Sequence, residues 1–311
     1  MSVELSIIVV NWNGGDLLRR CVESVWQSPP GVPYEIVVVD NASTDHSLDW
    51  LRANPRDNLR LIENAENLGF GKGNNQGFAA TGAPLLFLLN SDAEVRPGAI
   101  DALVATLNSD ERIGACGPRL VNPDGSLQAS VWRNPMTPPE MIATSLRLYR
   151  LMPRRLRGEL LLGYHWDHSR RRRANMLSGA AILAKRRMID EVGGFDERFH
   201  MYGEDTEWCL RIARSGWWMV FEPAATVMHH GGQSSGKRWT NLEKQGVEYE
   251  SFFRYQRYCL SRPHVLANLC TGYALAQLQH LWRLWQRRPL DETDMIRGLY
   301  YKELKRNLWA E

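Results

Sequence analysis

The sequence predicts an α/β protein: a mostly parallel central sheet flanked by helices, followed by a C-terminal helical extension. Short apolar runs, "SIIVV", "IVVV" and "LLFLL", each stop at a cluster of small polar residues, which is the pattern of strands buried on both faces. Segments of helical period lie between those runs. After residue 236 the pattern stays helical to the end, rich in Tyr, Trp, Leu and Arg.

The elements follow in order. "ELSIIVVNWN" is the first strand. In "GDLLRRCVESVWQS", Leu17, Leu18, Cys21, Val25 and Trp26 share one helical face. "YEIVVVDNASTD" repeats the plan, "SLDWLRAN" is a short helix and "NLRLIEN" a third strand. "GNNQGFAATG" opens another helix, and "PLLFLLNSDAEV" is the fourth strand. Strands separated by helices imply right-handed βαβ crossovers, and such sheets bind ligands beyond the carboxyl ends of their strands. The section from about 110 to 235 is mixed. "IGACGPRLVNPDGSLQ" reads as strands around a Pro-Asp-Gly turn. Residues 135–174 read as a loop or helical insertion. "NMLSGAAILAKRRMIDEVGGFDE" reads as a strand and short helix, and "EDTEWCLRIARSG" as a helix starting near Glu204 or Asp205 and ended by Gly216. "WWMVFEPAATVMHHGG" is a strand closed by a histidine pair.

The totals exclude several classes. A net charge of +3 over 311 residues gives no argument for nucleic acid. The five cysteines form no CxxC pair, against a zinc site or disulfide framework and in favour of a reducing cytoplasm. The apolar run at Ile7 to Val10 stops at Asn11, as in a strand and not a signal peptide. No apolar stretch reaches the roughly 18 residues of a membrane span.

Several residues carry candidate chemistry, each beside a plainer reading. Asp40, at the end of "IVVV", suits a ribose hydroxyl or base N–H, or caps the next helix, a role that also suits Asp45. "NLGFGKGNNQG" lets a phosphate approach a helix N-terminus, or is a turn. Asp92 is a hard oxygen donor for Mg²⁺ or Mn²⁺, with Glu94 near it; a helix cap fits less well, because the next helix begins five residues later. Glu204-Asp205 complements a helix dipole or supplies a general base. His229-His230 is a metal ligand or a surface pair. Arg170 to Arg173 is a solvated basic loop, or steers an anionic acceptor. Leu275, Leu278, Leu281, Trp282 and Trp285 fall at helical spacing among arginines, as core, dimer face or membrane-surface helix.

In order and spacing, "SIIVVNWNG", "IVVVDNASTD", "NLGFGKGNNQG", "FLLNSDAEV", "SGAAILAKRRM", "GGFDERFHMYGEDTEWCLRIARSGW" and "HHGGQSS" resemble the family 2 glycosyltransferases, and rhamnosyltransferase-like members most closely. The resemblance runs over roughly residues 4–236. It implies a GT-A fold, with a Rossmann-like sheet. It divides the chain into a nucleotide-sugar-binding half over 1–110, an acceptor-binding and catalytic half over 111–236, and a helical extension over 237–311. It places Val10, Asn11, Asn13 and Asp40 at the nucleoside. Asn67, Gly69 and Asn75 would line the nucleotide side of the cleft, and Gly179 and Ala180 the donor sugar. Asn90-Ser91-Asp92 stands where the family carries its DxD element, with only Asp92 acidic. His229 or His230 would complete binding of the metal and diphosphate. Asp205, in a pair with Glu204, would be the general base; an Asp at its ordinary value is already ionised at neutral pH.

The implied activity is inverting transfer of a sugar, first choice rhamnose, from a dTDP- or UDP-sugar with Mg²⁺ or Mn²⁺. The implied acceptor is a glycan or lipid-linked hydroxyl in cell-surface polysaccharide synthesis. The implied location is the cytoplasm, at the inner face of the membrane, with peripheral contact through the C-terminal helices and no nucleic-acid partner. A sugar-phosphate nucleotidyltransferase and a non-catalytic glycan-binding scaffold are the alternatives. "NWNGGDLLRR" is a poor match to the glycine- and Arg/Lys-rich signature of the first, and Asp92, Asp205 and the histidine pair argue against the second.

Overall fold

The computed structural model describes residues 2–132, 135–199, 202–231 and 240–309. The chain divides into two compact units, one of Met1–Asn134 with Leu162–Lys237 and one of Pro135–Leu161 with Arg238–Glu311.

The first unit opens as its sequence dictates: β1 (Leu5–Asn11), α1 (Asp16–Gln27), β2 (Tyr34–Asp40), α2 (Asp49–Ala53), β3 (Leu59–Glu63), α3 (Phe70–Ala79) and β4 (Leu85–Leu89). After β4 come β5 (Ala93–Val95), α4 (Ala99–Asn108), β6 (Ile113–Val121) and β7 (Leu127–Gln128). This unit resumes with β8 (Arg172–Ala174), β9 (Ala181–Lys185), α7 (Arg186–Val192), α8 (Glu204–Arg214) and β10 (Trp218–His229). The strand order is β3-β2-β1-β4-β9-β6-β10-β5, with β7 on β6 and β8 on β10.

The sheet is mixed. β3, β2, β1 and β4 are parallel, joined by crossovers. β9 runs antiparallel to both β4 and β6, and β5 runs antiparallel to β10. Beyond β4 the strand–helix alternation, the signal for parallel pairing, is broken, because β4 runs into β5 and β6 into β7 with no helix between, although β6 and β10 still pair in parallel. Both faces of β1 are covered, which is why its apolar residues are continuous. Ile7 and Val9 face one core with Leu18, Val22 and Leu103, and Ile8 faces the other with Phe78, Leu88 and Trp208. α3 lies so close to β1 that a Cβ on Gly77 would meet Ile8 Cγ2 at 2.3 Å. Glycine there serves helix–strand contact.

Arg170 to Arg173 is not a free basic loop. Arg172 and Arg173 belong to β8, paired with Phe221 and Val220 of β10. Arg171 Nε lies 2.5 Å from Glu222 Oε2, Arg172 stacks over Trp166 and Arg173 over Trp218. A buried carboxylate needs a cation, and Glu222, 3 % exposed, draws the run into the sheet.

The second unit is helical: α5 (Pro138–Ser145), α6 (Arg154–Leu161), α9 (Asn241–Cys259), α10 (Arg262–Trp285) and α11 (Asp291–Trp309). Phe253, Val265, Leu269, Ala276, Ile296, Tyr300 and Leu304 form its core. On α10 the periodic apolar set divides. Leu275 is buried, whereas Leu278, Leu281, Trp282 and Trp285 are exposed, Trp285 at 80 %.

Candidate active site

β2 and β3 lie on one side of β1 and β4 on the other, so the chain reverses its progress across the sheet at β1. A crevice opens beyond the carboxyl ends of the strands at such a point.

The β1 and β2 ends form one wall. Asp40, 2 % exposed, accepts from Asn11 Nδ2 at 2.7 Å, from Ser43 Oγ at 2.6 Å and from Ser43 N at 2.8 Å. It therefore ties the end of β1 to the 41–44 loop. The capping role falls to Asp45, whose side chain accepts from Ser47 N. Asn13 sits at φ 51°, a conformation Asn tolerates, and its Oδ1 accepts from Thr44 N at 2.8 Å. Val10 lies where a Cβ on Gly73 of α3 would meet it at 2.9 Å. Asn67 Oδ1 accepts from Gly69 N at 2.9 Å, which shapes the entry to α3. Both ends of the Asn75 amide engage Phe195, accepting from its N at 2.8 Å and donating to its O at 2.9 Å. Asn75 thus holds the segment that leads into α8.

The β4 end forms the centre. Asn90 N donates to Ala180 O and Ala93 N to Asn90 O, both at 3.0 Å, so the chain turns through Ser91 and Asp92 into β5. β5 lies on β10 with Ala93 opposite His229, and His230 N donates to Asp92 O at 2.9 Å. The two histidines take different carboxylates. His229 Nε2 is 3.1 Å from Asp92 Oδ1, and His230 Nε2 is 2.9 Å from Glu94 Oε1. Below them Cys21 Sγ donates to Asn90 O at 3.4 Å. Burial pushes that thiol far up, with the charges of Asp92 and Glu94 adding, so it is neither nucleophile nor thiolate ligand.

This donor set fits a hard divalent cation. One carboxylate and one imidazole converge, and Asn90 Oδ1 beside them is buried without a hydrogen-bond partner. Among the described residues no three His, Cys, Asp or Glu side chains form a complete set. Mg²⁺ and Mn²⁺ are commonly held by one or two protein ligands with substrate phosphates completing the shell.

The β9 entrance and α8 supply the remaining chemistry. Gly179 N donates to Asp205 Oδ2 at 3.1 Å, and Thr206 N to Asp205 Oδ1 at 2.7 Å. Glu204 Oε2 is buried with no hydrogen-bond partner. Burial pushes Glu204 up to about 8, with the Asp205 charge adding. Asp205 does not keep its ordinary value, contrary to the sequence expectation: burial raises it, against the bonds from Gly179 and Thr206. Two adjacent carboxylates out of water are poised to hold one charge between them at neutral pH.

Gln128 carries no mark in the sequence, yet its Oε1 lies 2.7 Å from His229 Nδ1, across 101 residues. Of the motifs read from the sequence, His200 and Met201 and the stretch from Gly232 onward in "HHGGQSS" lie outside the described residues.

Known proteins share this fold. GalNAc-T7 with UDP, GalNAc and Mn²⁺ superposes at TM-score 0.60 and 19% identity over 99% of this chain and 56% of that one. A mannosyltransferase from Pyrobaculum calidifontis, in complex with GDP-Man and Mn²⁺, superposes at TM-score 0.54 and 16% identity over 100% of this chain and 88% of that one. The fold is thus the GT-A fold of glycosyltransferases. In sequence, the N-acetylglucosaminyl-diphospho-decaprenol L-rhamnosyltransferase of Mycobacterium tuberculosis is 29% identical over 263 residues, 76% of this chain and 79% of that protein. The family described as "Glycosyl transferase family 2" matches residues 6–176, more than half the chain, and the chain belongs to it.

Proposed function

We propose that this glycosyltransferase moves a hexose, rhamnose as first choice, from a dTDP- or UDP-sugar to a hydroxyl of a lipid-linked or glycan acceptor, with inversion, in cell-surface polysaccharide synthesis. The observation that carries the reading is the meeting at one strand end of Asp92 with His229 and, through Gly179 and Ala180, of Asp205. The rhamnosyltransferase relative supports the choice of sugar and of a lipid-linked acceptor.

Asp92 and His229 would hold Mg²⁺ or Mn²⁺, and His230 would fix Glu94 beside them. When bound, the cation supplies charge neutralisation for the departing diphosphate. Asn11, Asn13 and Asp40 shape the nucleoside side of the crevice, with Asn67, Gly69 and Asn75 behind them, and Asn90, Ser91, Gly179 and Ala180 lie along the sugar. Asp205, aimed by the Gly179 and Thr206 amides, takes the proton of the acceptor hydroxyl. The acceptor oxygen bonds to the anomeric carbon as the carbon–oxygen bond to the diphosphate breaks, and that bond's electron pair leaves with the diphosphate. Glu204, protonated at neutral pH, keeps the pair at a single charge.

The domain assignment is also proposed: 1–110 takes the nucleotide-sugar, 111–236 the acceptor, and the extension from 237 contacts the membrane. On α10, Leu278, Leu281, Trp282 and Trp285 are exposed near Arg283, Arg287 and Arg288, the composition of a surface-lying helix. Among the described residues no helix is long and apolar enough to cross a membrane. We place the enzyme at the cytoplasmic face.

The test is a transfer and donor-hydrolysis assay across dTDP- and UDP-sugars with Mn²⁺ and Mg²⁺. Turnover of dTDP-rhamnose above the other donors is expected. Turnover of none, with no thermal stabilisation by dTDP or UDP, overturns the reading.

A further inference from the structure

The hairpin between β6 and β7 has no part in the chemistry above, yet it ends on His229. Its hydrogen bonds have one consistent direction. Asp124 is an acceptor at neutral pH, its carboxyl held below the ordinary value by the Ser126 hydroxyl and backbone N–H. Ser126 Oγ therefore donates to Asp124 Oδ1, at 2.6 Å. That hydroxyl accepts from Asn122 Nδ2 at 2.9 Å, which turns Asn122 Oδ1 toward Gln128 Nε2, also at 2.9 Å. The same Gln128 Nε2 faces the carbonyl oxygen of His229 at 3.4 Å, a second acceptor that fixes the amide the same way. Gln128 Oε1 is left facing His229 Nδ1 at 2.7 Å. An amide oxygen only accepts, so Nδ1 carries the proton.

We propose that Asn122 and Gln128 are positioning residues that lock His229 in the Nδ1–H tautomer, so that its Nε2 presents a lone pair, beside Asp92, to a divalent cation. The inference rests on the metal reading of the site made above. In a neutral imidazole with Nδ1 protonated, Nε2 is an acceptor. It stands 3.1 Å from a carboxylate oxygen, Asp92 Oδ1, which is also an acceptor, and 3.2 Å from Asn90 Nδ2, an amide donor that only an unprotonated Nε2 can accept from. The Asn90 N–H partly offsets the repulsion of the two acceptors, and a divalent cation taking the Nε2 lone pair and Asp92 Oδ1 together would replace it. A partner that orients a ligating histidine through its other nitrogen is worth about 10- to 100-fold in metal affinity. Nothing in the local sequence joins Gln128 to His229; the antiparallel pairing of Leu120 with Gln128 on β6, and of β6 with β10, brings them together.

The experiment uses the whole chain and two variants, Gln128→Met and Gln128→Glu. The metal-free protein is studied by imidazole ¹⁵N NMR at a pH where His229 is neutral, its signal assigned by its absence in His229→Gln. Mn²⁺ binding with dTDP is measured by titration calorimetry. The wild type is expected to show Nδ1–H. Gln128→Met, whose thioether is a much weaker acceptor than the amide oxygen, is expected to lose the tautomer and to weaken Mn²⁺ about 10- to 100-fold. Gln128→Glu, which keeps an acceptor toward Nδ1 but loses the donor toward Asn122 Oδ1 and the His229 carbonyl, is expected to retain the Nδ1 proton and to bind Mn²⁺ more tightly than Gln128→Met. Nε2–H in the wild type overturns the proposal, as does a Gln128→Met protein with tautomer and Mn²⁺ affinity unchanged. A wild type that shows Nδ1–H, loses it in Gln128→Met and binds no Mn²⁺ overturns the metal reading and leaves the tautomer lock standing.

Discussion

The backbone N–H of Gly179 donates to Asp205 Oδ2 at 3.1 Å. This bond joins the residue two before β9 to the first turn of α8, and it aims the proposed base. A Cβ on Gly179 would stand 3.2 Å from Asp205 Cβ and 3.3 Å from Oδ2. Gly179→Ala is therefore expected to displace the carboxylate while the fold survives. A misplacement of about 1 Å costs about 10²-fold in rate, and the few tenths of an ångström needed here set a smaller loss, up to about 10-fold. Steady-state kinetics beside a thermal melt checks it: an unchanged kcat would mean the bond does not aim the base.

Asp205→Asn and Glu204→Gln should separate. The first removes the proton acceptor and is expected to lower kcat by about 10²- to 10⁴-fold. The second replaces a carboxyl that is already protonated at neutral pH, so its effect on rate there should be small. Equal losses in the two variants would refute the division of roles.

Glu204 also gives stability a pH slope. Its carboxyl titrates at 4.5 in the unfolded chain and at about 8 in the folded one. Between those values the folded state binds more protons, so stability falls as pH rises and levels off above the higher one. Raised by burial, Asp205 acts in the same direction. Denaturant titrations across this window should show the decline in the wild type and a flatter profile in Glu204→Gln. A wild-type profile that rises through the window would contradict the burial argument.

Asp92→Ala removes the carboxylate beside His229 Nε2. In the wild type, dTDP with Mn²⁺ at 100 times its dissociation constant should stabilise the fold by about 2.7 kcal/mol. Most of that gain should vanish in Asp92→Ala, and in the wild type after chelation of the metal. The shift in melting temperature with and without Mn²⁺ reads both.

Arg171→Ala leaves the buried Glu222 carboxylate with Thr106 Oγ1 and Ala224 N as its hydrogen-bond donors. A loss of about 1–3 kcal/mol is expected, with melts as the measure and no direct effect on donor affinity.

The outer parts of this architecture were legible in the sequence because they are written locally. The β1, β2 and β4 strands end where apolar runs meet Asn11, Asp40 and Asn90, and Asp92 stands out as a carboxylate that no helix claims. The rest depends on distance along the chain. The pairing of His229 with Asp92, and not with Glu94, follows from the antiparallel register that sets His229 against Ala93, which no local period encodes. Arg171 looked like solvated charge because its partner, Glu222, lies 51 residues on. Asn75, in a glycine-rich stretch, also bonds Phe195 from 120 residues away, a structural role that its surroundings in the sequence do not mark.

β10 has a consequence for how the donor arrives. Parallel to β6, with β8 against its first part and β5 against its last, it leaves the backbone of His229 little freedom, and the bond from His230 N to Asp92 O binds the facing turn to it. The ordering of both proposed ligands is therefore completed at folding. A nucleotide-sugar meets a pre-organised seat, and its binding energy is spared the cost of assembling one.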